Sequence, residues 1–146
     1  MVKIRFALDI EDGWPPVITE NVWCEKSGDT YELMNAPFFI TGLAYGDKFT
    51  AESDKVNGCI FEFVLVKSSG HSLAWVINND DLDFSVSKSQ LIKLGCRIEG
   101  FPAFNLYSID VPVVVDSAAV NTAMDNLEEL GFAIAFPVWR HEVGDA

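Results

Sequence analysis

The stretch from Leu73 to Val138 reads LAWVI-NNDDLDF-SVSKSQLIKLG-CRIEG-FPAFN-LYSIDV-PVVVD-SAAVNTAMDNLEELG-FAIAFPV, and it sets the order β-α-β-β-α-β. That order is the split-βαβ pattern of a ferredoxin-like sandwich. Leu73 to Ile77 is a short apolar run rich in strand formers, placed after the breaker Ser69-Gly70. Ser87-Lys88-Ser89-Gln90 has the spacing of a capping box, and Val86 with Leu91 has the spacing of a hydrophobic staple. Gly95 is placed to stop that helix. Cys96 to Gly100 and Leu106 to Val111 alternate, with a turn at Phe101-Pro102 between them. Asp116 or Ser117 caps a second helix, whose Val120, Met124, Leu127 and Leu130 recur at helical spacing before Gly131. Phe132, Ile134, Phe136 and Val138 make the large-residue face of the last strand. This reading expects Val120, Met124, Leu127, Ile109, Val111, Ile134 and Phe136 to be buried.

The first part of the chain has a different texture. Val2 to Leu8 alternates, and Glu11-Asp12-Gly13 is a turn. Val17 to Trp23 and Thr30 to Leu33 are strands around Ser27-Gly28-Asp29. Lys48 to Glu52 and Ile60 to Lys67 are strands joined at Asn57-Gly58, a strong two-residue hairpin signal. No helical pattern longer than a turn precedes Leu82. The expected fold class is α+β. Residues 1–70 form a small antiparallel β lobe, of which an SH3-like barrel is one form. Residues 71–146 form a ferredoxin-like βαββαβ sandwich, and the two are expected to pack as one compact unit.

Composition narrows function by exclusion. The 146 residues carry 22 acidic and 10 basic side chains, a formal net charge of −12. Nucleic acid and anionic membrane both call for Lys/Arg patches, so neither is an expected partner. No apolar run reaches membrane-spanning length. The first stretch contains Lys3, Arg5, Asp9 and Glu11, unlike a signal peptide, so the expected location is the cytoplasm. Cys24, Cys59 and Cys96 are widely spaced and odd in number, which fits neither a disulfide framework nor a zinc motif. Two distant histidines give no metal signature, and Asp80-Asp81-Leu82-Asp83 lacks the glycine and distal glutamate of a calcium loop. No metal, cofactor or catalytic residue is assigned.

Two clusters remain. An aromatic in an acidic turn is a hot-spot arrangement, and Asp9, Glu11, Asp12 and Trp14 supply one, with Asp80, Asp81 and Asp83 as a second acidic turn. Tyr45, Asp47, His71 and Ser72 bracket the Lys48–Lys67 hairpin and are expected to meet at a lobe junction, with His71 as a base, a ligand-binding imidazole or a structural pin. His141 lies in the charged tail and is read as solvated.

Several of these segments together resemble a known family. They are Asp12-Gly13-Trp14-Pro15-Pro16-Val17, Asn35-Ala36-Pro37-Phe38-Phe39, Gly42-Leu43-Ala44-Tyr45-Gly46-Asp47, Ser69-Gly70-His71-Ser72, Leu94-Gly95-Cys96 and Asp110-Val111-Pro112. The combination, from about Lys3 to Trp139, is similar to the bacterial domain-of-unknown-function family 4265. The resemblance implies a bacterial, cytosolic, stand-alone protein in which Tyr45, Gly46, Asp47, Gly70, His71 and Ser72 form a shared site. It brings no activity with it.

The function expected from these features is stoichiometric binding of a basic partner protein. Its most concrete form is an immunity protein that inhibits a secreted bacterial toxin's effector domain. The alternative is a small-molecule-binding or regulatory domain, or an enzyme, with its site near His71.

Overall fold

A computed structural model of the chain describes residues 1–141. The chain divides into two compact units, Met1–Ser69 and Gly70–Ala146.

The first unit is a closed barrel of β1 (Val2–Ala7), β2 (Thr19–Ser27), β3 (Thr30–Leu33), β4 (Lys48–Ser53) and β5 (Ile60–Lys67). Consecutive strands pair antiparallel. The ring then closes through one parallel position, Phe6 opposite Ile60. Inward alternation fills the barrel with Phe6, Val22, Cys24, Leu33, Phe49 and Ile60. Tyr31 stacks on Phe49 at 5.5 Å, and Phe6 meets Phe49 at 5.8 Å.

The β4–β5 connection is not the two-residue hairpin that Asn57-Gly58 suggests. Such a turn needs positive φ at both residues, and only Gly58 has it. The loop is instead organised by Asp54. Its N–H donates to the Cys59 carbonyl, and its carboxylate accepts from the Val56 and Asn57 N–H groups.

The second unit contains β6 (Ser72–Ile77), α1 (Ser85–Leu94), β7 (Arg97–Phe101), a 3₁₀ turn (Pro102–Phe104), β8 (Leu106–Val111), α2 (Ser117–Leu130) and β9 (Ala133–Val138). The sheet order is β7-β8-β6-β9, with every neighbour antiparallel. Leu91 of α1 and Val120, Ala123, Met124 and Leu127 of α2 pack on Ala74, Val76, Ile109 and Val111, one face of the two central strands. Both helices therefore cover the same face. Each ends in a glycine with φ near +108°, Gly95 and Gly131, whose N–H bonds back into the last turn.

Three local expectations differ from what is found. Helix α1 begins two residues before Ser87, which is buried within its first turn, so Ser87 and Gln90 form no capping box. The start is organised by Asp83, whose Oδ1 accepts from the Ser85 N–H (2.9 Å) and hydroxyl (2.7 Å). Val86 is exposed, so it makes no staple with the buried Leu91. Phe136 is 43% exposed rather than buried, and Ile134 is only partly buried. The cause is an extra residue in β9: Trp75 pairs with Ala135, but Leu73 pairs with Val138. Proline cannot donate to a ladder, so a bulge at Pro137 is natural, and it breaks the alternation that would carry Phe136 inward.

Candidate functional site

The β1–β2 connection projects from the barrel as an acidic hairpin tip. Glu11 and Trp14 exchange both backbone hydrogen bonds, at 2.9 and 3.0 Å, around Asp12-Gly13. Both central residues have positive φ, +53° and +78°, the primed turn that an Asp-Gly pair favours. Asp9, Glu11, Asp12 and Trp14 are all exposed there. Trp14 retains 40% of its surface in solvent and rests edge-on against Phe39, with ring centroids 5.6 Å apart.

Phe39 is held from across the unit. Glu20, on β2, accepts three backbone N–H bonds: Phe38 at 2.7 Å to one oxygen, and Phe39 at 2.8 Å and Ile40 at 3.0 Å to the other. A carboxylate is the right group for such a convergent set, because both oxygens accept. Burial raises the carboxyl pKa above its ordinary value, with the three N–H groups pulling back toward the anion.

Together these pieces wall a groove of about 490 Å³. Its floor is Phe6, Phe39 and Ile40. Phe61 and Phe63 of β5 also line it, as do Leu8, Asp9, Glu11, Asp12 and Trp14 from the end of β1 and the hairpin tip. An aromatic floor under a carboxylate rim suits a Lys or Arg side chain, whose stem packs on rings while its charge meets the acids. The sequence singled out the acidic rim and Trp14. It gave no sign of Phe61 and Phe63 as groove walls, or of Glu20 as the clamp on Phe38 to Ile40. The one available signal was the density of large apolar residues within Ile60–Lys67, of which Phe61, Val64, Leu65 and Val66 prove exposed.

The second acidic turn lies in the other unit. Asp80 is exposed, and Asp81 has φ of +52° at the edge of a small pocket with Gly100, Pro102 and Tyr107. Asp83 serves the start of α1, and the Ser85 hydrogen bonds lower its carboxyl pKa.

Tyr45 and Asp47 belong to the first unit, His71 and Ser72 to the second. Asp47 is fully buried. Its carboxylate accepts from the Ala44 N–H at 2.8 Å and the Ser69 N–H at 2.9 Å, while the Tyr45 carbonyl accepts from the Ser69 hydroxyl at 2.6 Å. At Gly46 an added Cβ would lie 3.0 Å from that of Ser69. His71 Nδ1 sits 2.7 Å from Asp110 Oδ1. The other oxygen of Asp110 has Arg97 Nε at 3.4 Å, a charge neighbour in poor hydrogen-bond geometry. Burial raises the Asp110 carboxyl pKa, and His71 and Arg97 oppose that rise.

His141 is not solvated. It is buried, with Nδ1 2.6 Å from the Ser72 hydroxyl and Nε2 2.8 Å from the Pro112 carbonyl. The carbonyl can only accept, so Nε2 carries the proton. The Ser72 oxygen already accepts from the Arg140 and His141 N–H groups, so its hydroxyl donates to Nδ1. His141 is held at both ring nitrogens and its backbone N–H, which the charges around it in sequence conceal. Among the described residues no cluster of His, Cys, Asp and Glu is arranged to hold a metal, and no helix is long and apolar enough to cross a membrane.

No curated protein matches the chain. Its fold is similar to a solved structure described as the novel crystal structure of a hypothetical protein from Neisseria gonorrhoeae. The TM-score is 0.76 at 16% identity, over 94% of this chain and 96% of that one. At that identity the likeness speaks for the fold. The family model described as Domain of unknown function (DUF4265) matches residues 20–134, spanning both units, and the chain belongs to that family.

Proposed function

We propose that the chain is a binding module that engages a basic protein stoichiometrically through the groove between Trp14 and Phe61. The observation that carries this reading is the groove's make-up, an aromatic floor beneath the exposed carboxylates of Asp9, Glu11 and Asp12. Buried rings supply contact area, and the net charge of −12 steers a basic partner from solution. Asp80, Asp81 and Asp83 add to that steering field. The most concrete form is an immunity protein that neutralises a bacterial toxin's effector domain. In this reading the barrel is SH3-like and the second unit is a ferredoxin-like sandwich. The order β7-β8-β6-β9 with both helices on one face supports the latter.

The test compares the wild-type chain with a variant carrying Asp9→Asn, Glu11→Gln and Asp12→Asn. Both are immobilised in lysate from a bacterial host, and retained proteins are identified and purified. The expected result is a basic protein that binds the wild type at one equivalent, with association slowed by salt and by the triple variant. If that protein is a toxin, one equivalent abolishes its activity. Association indifferent to both salt and the substitutions refutes the reading. So does multiple turnover of a substrate that is lost in His71→Ala.

A further inference from the structure

The barrel closes through a very short seam. β1 and β5 meet at the single position Phe6–Ile60, after which β1 ends at Ala7 while β5 continues to Lys67. Among the described residues, Phe61 to Lys67 have no strand partner on that edge; their ladder is with β4 alone. The same strand exposes Phe61, Val64 (66%), Leu65 (40%) and Val66 (57%). A row of unpaired backbone groups beside exposed apolar side chains is a template for another strand. The acidic groove lies at this seam, lined by Phe6, Leu8 and Asp9 from β1 and the chain after it and by Phe61 and Phe63 of β5.

We propose that β5 takes up an extended, basic segment of the partner protein as an added strand. The segment hydrogen-bonds along the open edge, and its Lys or Arg side chains reach Asp9, Glu11 and Asp12. This deepens the reading above and rests on it. Side chains of a strand alternate in direction, so a segment alternating basic and apolar residues meets both the carboxylate rim and the exposed apolar row. Register is also set. Pairing with β4 shifts between Lys48 and Phe49 and again between Ala51 and Ser53, each time with an extra residue in β5. The regular template is therefore Phe63, Val64 and Leu65, opposite Ala51, Thr50 and Phe49. Charge selects against a second copy of this chain, because that would set −12 against −12 and bring the same carboxylates together.

The experiment uses the full chain and a short capped peptide of alternating arginine and valine. A second peptide has the same side chains but alternate backbone amides methylated, which removes donors and keeps every charge. Binding is followed by calorimetry and by amide hydrogen exchange. The expected result is slowed exchange at edge-facing amides between Glu62 and Lys67, and affinity about tenfold weaker for the methylated peptide. Equal affinity for the two peptides, still sensitive to salt and to Asp9→Asn/Glu11→Gln/Asp12→Asn, overturns strand addition and leaves the basic-partner reading standing. Binding insensitive to salt and to those substitutions removes the underlying reading too. Failure of the unmethylated peptide to bind at millimolar concentration overturns the strand proposal. Edge amides protected without peptide, with a sedimentation coefficient that rises with concentration, assign the edge to a second copy and overturn the basic occupant.

Discussion

Replacing Glu20 should loosen the groove from a distance, and the size of the effect follows from its geometry. Glu20→Ala removes the acceptor from three backbone N–H groups, at Phe38, Phe39 and Ile40. Phe39 and Ile40 are buried, so water replaces the carboxylate poorly there. An unsatisfied buried donor costs about 1–3 kcal/mol, while the variant is relieved of burying a carboxylate, so the net loss should be about 2–4 kcal/mol. Glu20→Gln is the informative intermediate. Its oxygen can still serve Phe39 and Ile40, but its NH₂ then faces the Phe38 N–H, donor against donor. The cost should be about 1–2 kcal/mol.

Urea unfolding at neutral pH gives the order wild type, Gln, Ala. An alanine variant within about 0.5 kcal/mol of wild type, or a glutamine variant as unstable as alanine, would refute the clamp. A pH series adds a signed check. Burial holds the folded pKa of Glu20 above its ordinary value of 4.5. The associated stability is fully present below that ordinary value and is lost as pH rises through the folded value. The gap between wild type and Glu20→Gln should therefore widen on acidification. A gap that narrows contradicts the assigned direction.

His71→Ala should cost about 2–3 kcal/mol, because it leaves the Asp110 carboxylate buried without its imidazole partner; thermal melts should show Asp110→Asn in the same chain recovering part of the loss. The His71→Ala deficit should grow as pH rises, because losing His71 lifts the folded Asp110 pKa further, and a raised carboxyl contributes stability only at acid pH. Ser72→Ala should cost about 2–3 kcal/mol in denaturant melts, since one hydroxyl serves His141 Nδ1 and two backbone N–H groups. The Cys24 thiol is pushed up to about 12 by burial, and that of Cys96 to about 11 by burial and by Asp110. A chromogenic disulfide reagent should therefore label Cys24, Cys59 and Cys96, all buried, only after denaturant is added; rapid labelling of native protein would contradict this.

Periodicity made the elements legible. Two-residue alternation found β1, β7 and β8 nearly to their ends, and Val120, Met124 and Leu127 marked the buried stripe of α2. Asp116 was legible as a cap because its partner, the Ala118 N–H, is two residues away. The acidic tip was legible for the same reason: Glu11, Asp12, Gly13 and Trp14 act within a single turn. Signals of this kind are carried by neighbours along the chain, where geometry is set by backbone dihedrals.

What the tertiary structure alone decided joins residues far apart in sequence. Glu20 finds Phe38 to Ile40 across 18 to 20 residues, and Ser72 finds His141 across 69. Nothing local distinguishes Glu20 from the other 21 acids, or His141 from a solvated histidine. The bulge at Pro137 that turns Phe136 outward and the single-position seam between β1 and β5 are likewise properties of strand pairing. Composition and pattern determined the strand and helix segments and the net charge, because these are sums over local preferences. The groove, its carboxylate clamp and its open edge arise only when strands from distant parts of the chain meet, because a hydrogen bond or a register exists only once both partners are in place.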